Sequence, residues 1–177
     1  PATRFLTLYG VTDEGNFEGK TILTFNGTFE ERAAIAGARQ QLFDAREERA
    51  RPGRDEKVVV SWNGLMLAAF AEAAHVLERD DYREIAVRNA DFLLRELCTS
   101  EGRLRHVWKA GEALVPGFLD DHTHLIEGLL ALYQTTFEPR WYEAAAELAQ
   151  AVVRHFAADP GFYDTAADAE ALVVRPR

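Results

Sequence analysis

Gly64-Leu65-Met66-Leu67-Ala68-Ala69-Phe70-Ala71-Glu72-Ala73-Ala74-His75-Val76-Leu77 contains two strongly polar residues, Glu72 and His75. A helix that is apolar nearly all round is buried on several sides. Shifting the sequence by 59 residues lays Ser61–Leu104 on Asp120–Tyr163 without a gap. Identities fall at Glu84/Glu143, Ala86/Ala145, Ala90/Ala149, Arg95/Arg154 and Gly102/Gly161. Class matches include Met66/Leu125, Leu67/Ile126, Tyr82/Trp141, Leu93/Val152, Leu97/Phe156 and Leu104/Tyr163. Five identities in 44 positions are weak alone. The shared order of two helices, a glycine and an apolar strand makes the repeat, because self-similarity at a fixed period marks stacked supersecondary units.

The two helices of each unit differ in kind. Leu125–Tyr133 is again nearly all apolar, with Glu127 as its one strongly polar residue. The second helices are amphipathic: Ile85, Ala86, Ala90, Leu93, Leu94 and Leu97 form one face, and Arg83, Glu84, Arg88, Asp91 and Arg95 the other. In the later copy, Pro139 sits at the first helical position, and Ala145, Leu148, Val152 and Phe156 are expected core. Each unit thus supplies an inner and an outer helix, which repeated round a ring give an all-α, α/α toroid. The inner pair is expected to run parallel.

Working outward, Gly102–Pro116 reads as a β-hairpin, with Leu104, His106 and Trp108 alternating before a turn at Gly111. A second hairpin is expected over 162–174. Residues 1–27 have no helical period and are expected to be an extended lead-in. Thr28-Phe29-Glu30-Glu31 is a capping box that opens a first outer helix, predicted over 28–49, with its connection reaching residue 60. The other helices are predicted over 62–79, 81–98, 119–137 and 140–157, which makes 61–118 the first hairpin repeat and 119–177 the second. The chain has no initiator Met and ends in a strand-like Leu172-Val173-Val174. It reads as part of a larger ring, and its apolar inner surface is expected to make the fragment self-associate.

Twenty basic against 29 acidic side chains give a formal charge of −9. The basic residues are interleaved with acidic ones, as in Arg49, Arg51 and Arg54 among Glu47, Glu48, Asp55 and Glu56. That argues against a phosphate-backbone partner, which needs clustered cations. One cysteine, Cys98, allows no disulfide or cysteine zinc cluster within the chain. The longest apolar run, Gly64–Ala71, is far short of the ~20 residues that span a bilayer. The expected setting is cytoplasmic, away from membranes.

Several strings resemble the thioredoxin-domain-containing family of spermatogenesis-associated protein 20 and its bacterial relatives. They are Tyr9-Gly10-Val11-Thr12-Asp13-Glu14-Gly15-Asn16-Phe17-Glu18-Gly19, Ser61-Trp62-Asn63-Gly64-Leu65-Met66, Pro116-Gly117-Phe118-Leu119-Asp120-Asp121, Tyr163-Asp164-Thr165 and Val174-Arg175-Pro176. The resemblance implies a toroid like those of six-hairpin glycosidases and N-acylglucosamine 2-epimerases, preceded by a thioredoxin-like domain that this chain lacks. His122-Thr123-His124 departs from it, standing where an aromatic and small apolar residues are expected.

The candidate chemistry gathers where inner helices begin. Asp120 and Asp121 open the second one, as N-terminal caps or, for the spare carboxylate, as a general acid facing the ring's mouth. Paired carboxylates are the usual tools of glycoside cleavage. His124 is a candidate proton carrier beside them, or a satisfied structural histidine. His122 is a candidate substrate contact; two residues from His124, it does not share a helix face with it as zinc ligands would. Trp62 offers a stacking face for a sugar and Asn63 a hydrogen-bonding amide, or hairpin packing and a cap. Trp108 and His106, on the hairpin beside the mouth, are candidates of the same kind. His75 and His155 fit the ends of their helices. Gly15-Asn16-Phe17-Glu18-Gly19-Lys20-Thr21 has its glycines one residue too close for a phosphate loop and runs into a strand-like segment. No cofactor or metal is implied.

Two functions remain open. One is carbohydrate binding or modification, of hydrolase or epimerase type, on a sugar-like small molecule. The other is a non-catalytic helical scaffold that docks the thioredoxin-like domain or a protein client. On the first, Asp120→Asn or Asp121→Asn in the intact protein should impair ligand binding or turnover and leave the melting temperature nearly unchanged.

Overall fold

The computed structural model describes residues 2–170 and 172–177, which form two compact units divided between Arg54 and Asp55. In the first, α1 spans Ala2–Leu8, α2 Phe29–Ala34 and α3 Ala36–Glu47. The helix α1 lies where extended chain was expected. Phe5 stacks on Tyr9 there, with ring centroids 4.5 Å apart, and Tyr9 meets Phe25 at a tilt, at 5.4 Å, so aromatic packing decides the segment rather than periodicity. The capping box at Thr28 forms: the Glu31 N–H donates to Thr28 Oγ1 at 3.3 Å, and the Thr28 N–H to Glu31 Oε2 at 2.9 Å. The helix it opens breaks at Ile35, which is buried with φ −107° and ψ 14°. Asn16 braces the loop that follows α1 by bonding both backbone groups of Ile22.

The second unit carries the repeat. It runs β1 (Val58–Val59), α4 (Val60–Val76), α5 (Asp80–Leu97), β2 (Arg105–Lys109), β3 (Glu112–Pro116), α6 (Leu119–Thr136) and α7 (Pro139–Phe156). The bounds of α7 are those of α5 advanced by 59 at both ends, so the period seen in the sequence is a structural one. Each copy closes with a β-bridge just after its second helix, Cys98 to Leu104 and Ala157 to Phe162. The strands β1, β2 and β3 form one antiparallel sheet with Val59 opposite Val107 and Val107 opposite Leu114. Ala110 and Gly111 both have positive φ, 52° and 92°, the left-handed pair that a two-residue hairpin turn requires. No second hairpin forms over 162–174 among the described residues; Ala171 lies outside them. Instead that segment folds back on itself, the Asp164 N–H donating to Pro176 O at 3.1 Å.

The two inner helices, α4 and α6, pack against each other more extensively than any other pair. They are parallel, because their contacts advance together. Ser61 meets Asp121, Gly64 meets His124 and Leu125, and Ala71 accepts a hydrogen bond from Thr135 Oγ1 at 3.0 Å. The approach is backbone to backbone. A Cβ on Gly64 would lie 2.5 Å from the carbonyl carbon of His124, and one on Gly128 would lie 2.7 Å from the Gly64 oxygen. The outer helices α5 and α7 cover this pair with the faces the sequence marks as apolar. Leu93, Leu97, Trp141, Leu148 and Phe156 are buried with Leu67, Leu125, Leu129 and Leu132. The other side of α4 presents Trp62, Leu65, Met66 and Val76 as an exposed apolar stripe. No described helix is long and apolar enough to cross a membrane.

Candidate functional site

Parallel inner helices bring their N-terminal ends to one rim, and one side chain joins them. Asp121, the third residue of α6, is 0% exposed. Its Oδ2 accepts the N–H of Phe118 at 2.9 Å, the back-reaching half of a capping box. Its Oδ1 accepts the N–H of Ser61, in the first turn of α4, at 3.0 Å. The carboxylate therefore satisfies a free donor of its own helix and one of the neighbouring repeat. Its third partner is His106 on β2, whose Nδ1 lies 2.9 Å from Oδ2 and 3.1 Å from Oδ1. Burial raises the Asp121 pKa above the ordinary carboxylate value, opposed by the bonds from Phe118 and His106.

Around this buried hub stand groups that reach solvent. His106 keeps 29% of its side chain exposed and sets its ring edge-on to Phe118, at 5.1 Å between centroids. Asp120 is exposed, and its Oδ1 accepts the Asp121 N–H at 2.9 Å. Trp62, next to the Ser61 amide that Asp121 holds, is 70% exposed. The segment after α7 reaches the same end of α6, where the Leu119 N–H donates to Asp164 O at 2.9 Å. Between that segment and the end of the hairpin lies a cleft of about 410 Å³ lined by Val115, Pro116, Phe118, Thr165, Ala166 and Leu172 among others.

The other residues singled out in the sequence are placed differently. His122 is 1% exposed, with both ring nitrogens engaged: Nδ1 lies 2.8 Å from Phe118 O, and Nε2 is 3.3 Å from the Leu104 N–H. The ring faces protein, not the solvent side expected of a substrate contact, because it fills the space against Phe156. Asn63 is half-buried, donating to Val59 O at 2.8 Å and accepting from Asn89 at 2.9 Å, so its amide ties the start of α4 to the outer helix α5. Trp108 packs edge-on against Phe92 of α5, at 5.5 Å. His124 is half-buried in the seam with α4, and its Nδ1 is buried without a hydrogen-bond partner. The pairing of His106 with Asp121 left no trace in sequence spacing, since it depends on how the hairpin folds onto α6.

His122 carries a pH consequence. Its geometry requires the neutral ring, with Nδ1–H donating and Nε2 accepting, and burial lowers its pKa below the ordinary value. An unfolded histidine takes its proton near pH 6.5, and the folded one resists until lower pH. Between those values the unfolded state binds more protons, so stability is full above about 6.5 and is lost as pH falls. Urea denaturation at pH 7, 6 and 5 should show the wild type losing stability more steeply than His122→Gln. Equal losses would contradict this account of the ring.

No protein-family model matches the chain. Its homologues include human spermatogenesis-associated protein 20, 32% identical over 171 residues in an alignment that takes in 79% of this chain and 22% of that protein. The chain spans about a fifth of the length of the curated relatives it matches. Among solved structures, cellobiose 2-epimerase from Spirochaeta thermophila superposes with a TM-score of 0.56 at 19% identity, covering 88% of this chain and 36% of its own. A D-mannose isomerase superposes at 0.51 with 15% identity, covering 86% and 40%. These likenesses establish the fold as that of an α/α-toroid.

Proposed function

We propose, for a chain whose homologues are the spermatogenesis-associated protein 20 proteins, that the rim at the start of α4 and α6 binds and modifies a small carbohydrate. The observation that carries this is the buried Asp121 hub, which holds His106 beside the exposed Asp120 and the Trp62 end of α4. An exposed indole offers a flat apolar face to a sugar ring, and the carboxylate and imidazole offer hydrogen bonds to its hydroxyls. The toroids of similar fold named above act, by name, on cellobiose and mannose, which supports the substrate class.

Within that class we favour epimerase or isomerase chemistry over glycoside cleavage. Cleavage commonly uses two carboxyl groups that flank the scissile bond. Asp121 is sealed from substrate, so the adjacent pair Asp120–Asp121 does not supply them. The ring closes, on this reading, with further hairpins carried by the intact polypeptide, together with its thioredoxin-like domain. Cys98, half-buried and with its thiol pKa raised by burial, suits the cytoplasm as a packing residue rather than a redox group.

The test is a titration of the intact polypeptide with cellobiose and with D-mannose, followed by tryptophan fluorescence. Saturable binding of one sugar is expected, weakened about tenfold or more by Trp62→Ala. No saturable change with either sugar would reject the assignment.

A further inference from the structure

We propose that His106 is the proton-transfer residue of this rim, acting through Nε2, and that Asp121 is its positioning residue. The inference rests on the carbohydrate reading and assigns the base within it. Three geometric facts point to it. The Asp121 carboxylate already accepts from Ser61 and Phe118, and the remaining approach to it is filled by His106 Nδ1 at 2.9 Å. A carboxylate only accepts, so the hydrogen between the two is carried by Nδ1 and leaves the lone pair on Nε2. The ring is held by Asp121 at Nδ1 and by its T-shaped contact with Phe118, while still 29% exposed.

The contrast with His122, one residue further along α6, sharpens the assignment. There both nitrogens are bonded within the protein, and the ring has no atom left for a ligand. His124 has its Nδ1 buried in the helix seam. Of the three histidines near this end of α6, His106 alone combines a carboxylate partner with a nitrogen that no described residue occupies.

The step conserves atoms and electrons without an added oxidant. Nε2 takes the proton from the carbon next to the carbonyl of an open-chain sugar. The C–H electron pair becomes the carbon–carbon double bond of an enediolate, and the carbonyl pair moves onto oxygen. Return of a proton from the imidazolium to carbon restores the carbonyl. Between the two events the imidazolium exchanges its proton with water, so the sugar acquires solvent hydrogen.

That exchange gives the test. The intact polypeptide is incubated with cellobiose or D-mannose in D₂O, and loss of the C2 proton signal is followed by NMR. Binding is measured separately by fluorescence. His106→Gln keeps an N–H donor for Asp121 but loses the base and one hydrogen bond to the sugar, so binding should weaken by no more than about tenfold while exchange falls at least 100-fold. In His106→Gly, added imidazole should restore part of the exchange, which a purely structural role would not allow. Wild-type exchange in His106→Gln would overturn the proposal and leave the binding reading standing, as would sugar binding by the wild type without any exchange. Absence of binding to either sugar would remove the carbohydrate reading itself.

Discussion

Asp121→Ala should destabilise the helical unit by about 3–5 kcal/mol, the cost of removing one partner from a buried charged cluster. The substitution leaves the N–H groups of Ser61 and Phe118 without an acceptor and His106 without its carboxylate. Each buried donor left unpaired costs roughly 1–3 kcal/mol, and the first two belong to helix ends with no neighbouring backbone acceptor. Asp120→Ala is the matched control. It removes an exposed carboxylate that accepts a hydrogen bond from the next amide, and about 1 kcal/mol or less is expected. Urea denaturation of both variants checks the contrast. An Asp121→Ala midpoint close to that of Asp120→Ala would show that the carboxylate does not join the two repeats.

Gly64→Val is the second large effect, expected to exceed the ~1–3 kcal/mol typical of overpacking. At Gly64 the nearest atoms to an added Cβ are backbone, the carbonyl group of His124 and the amide of Leu125, at 2.5 to 2.7 Å. Backbone cannot swing aside as a side-chain tip can, so α4 and α6 must separate. Gly128 meets the same restriction from the opposite helix, so a double substitution adds less than the sum of the singles. Gly37, with nothing near an added Cβ, serves as the reference, and Gly37→Val should cost only its helix propensity. A Gly64→Val protein with wild-type thermal stability would contradict the close parallel packing.

Much of the fold was legible because the signals were local and repeated. The all-apolar runs marked α4 and α6, the one-sided pattern marked α5 and α7, and Pro139 marked a helix start. The hairpin followed from alternation and a glycine turn. The failures were tertiary. At α1, Phe5 stacks on Tyr9 just beyond the helix and Tyr9 meets Phe25, far along the chain, and Ile35 breaks a helix that periodicity alone would continue.

At the candidate site, sequence placed Trp62, Asp120 and Asp121 at the starts of the inner helices but did not show which of them solvent reaches. Asp120 and Asp121 look equivalent as neighbours in a string, yet one is exposed and the other is sealed among three donors. The expectation that Asp121→Asn would spare the melting temperature does not survive that burial. His106 stood out in the sequence as a hairpin residue beside the mouth, but its pairing with Asp121 depends on β2 folding against α6, a contact across fifteen residues that no helical or strand period encodes. His122 drew attention as a histidine at a helix start, and its two internal bonds account for it.

The central claim is that the Asp121 hub arranges the rim of α4 and α6 to hold a sugar. A crystal of the intact polypeptide soaked with cellobiose tests it most directly. The account predicts sugar density against the Trp62 indole, within hydrogen-bonding distance of Asp120 and His106 Nε2. Density confined to other surfaces, or an unoccupied rim at saturating sugar, would contradict it.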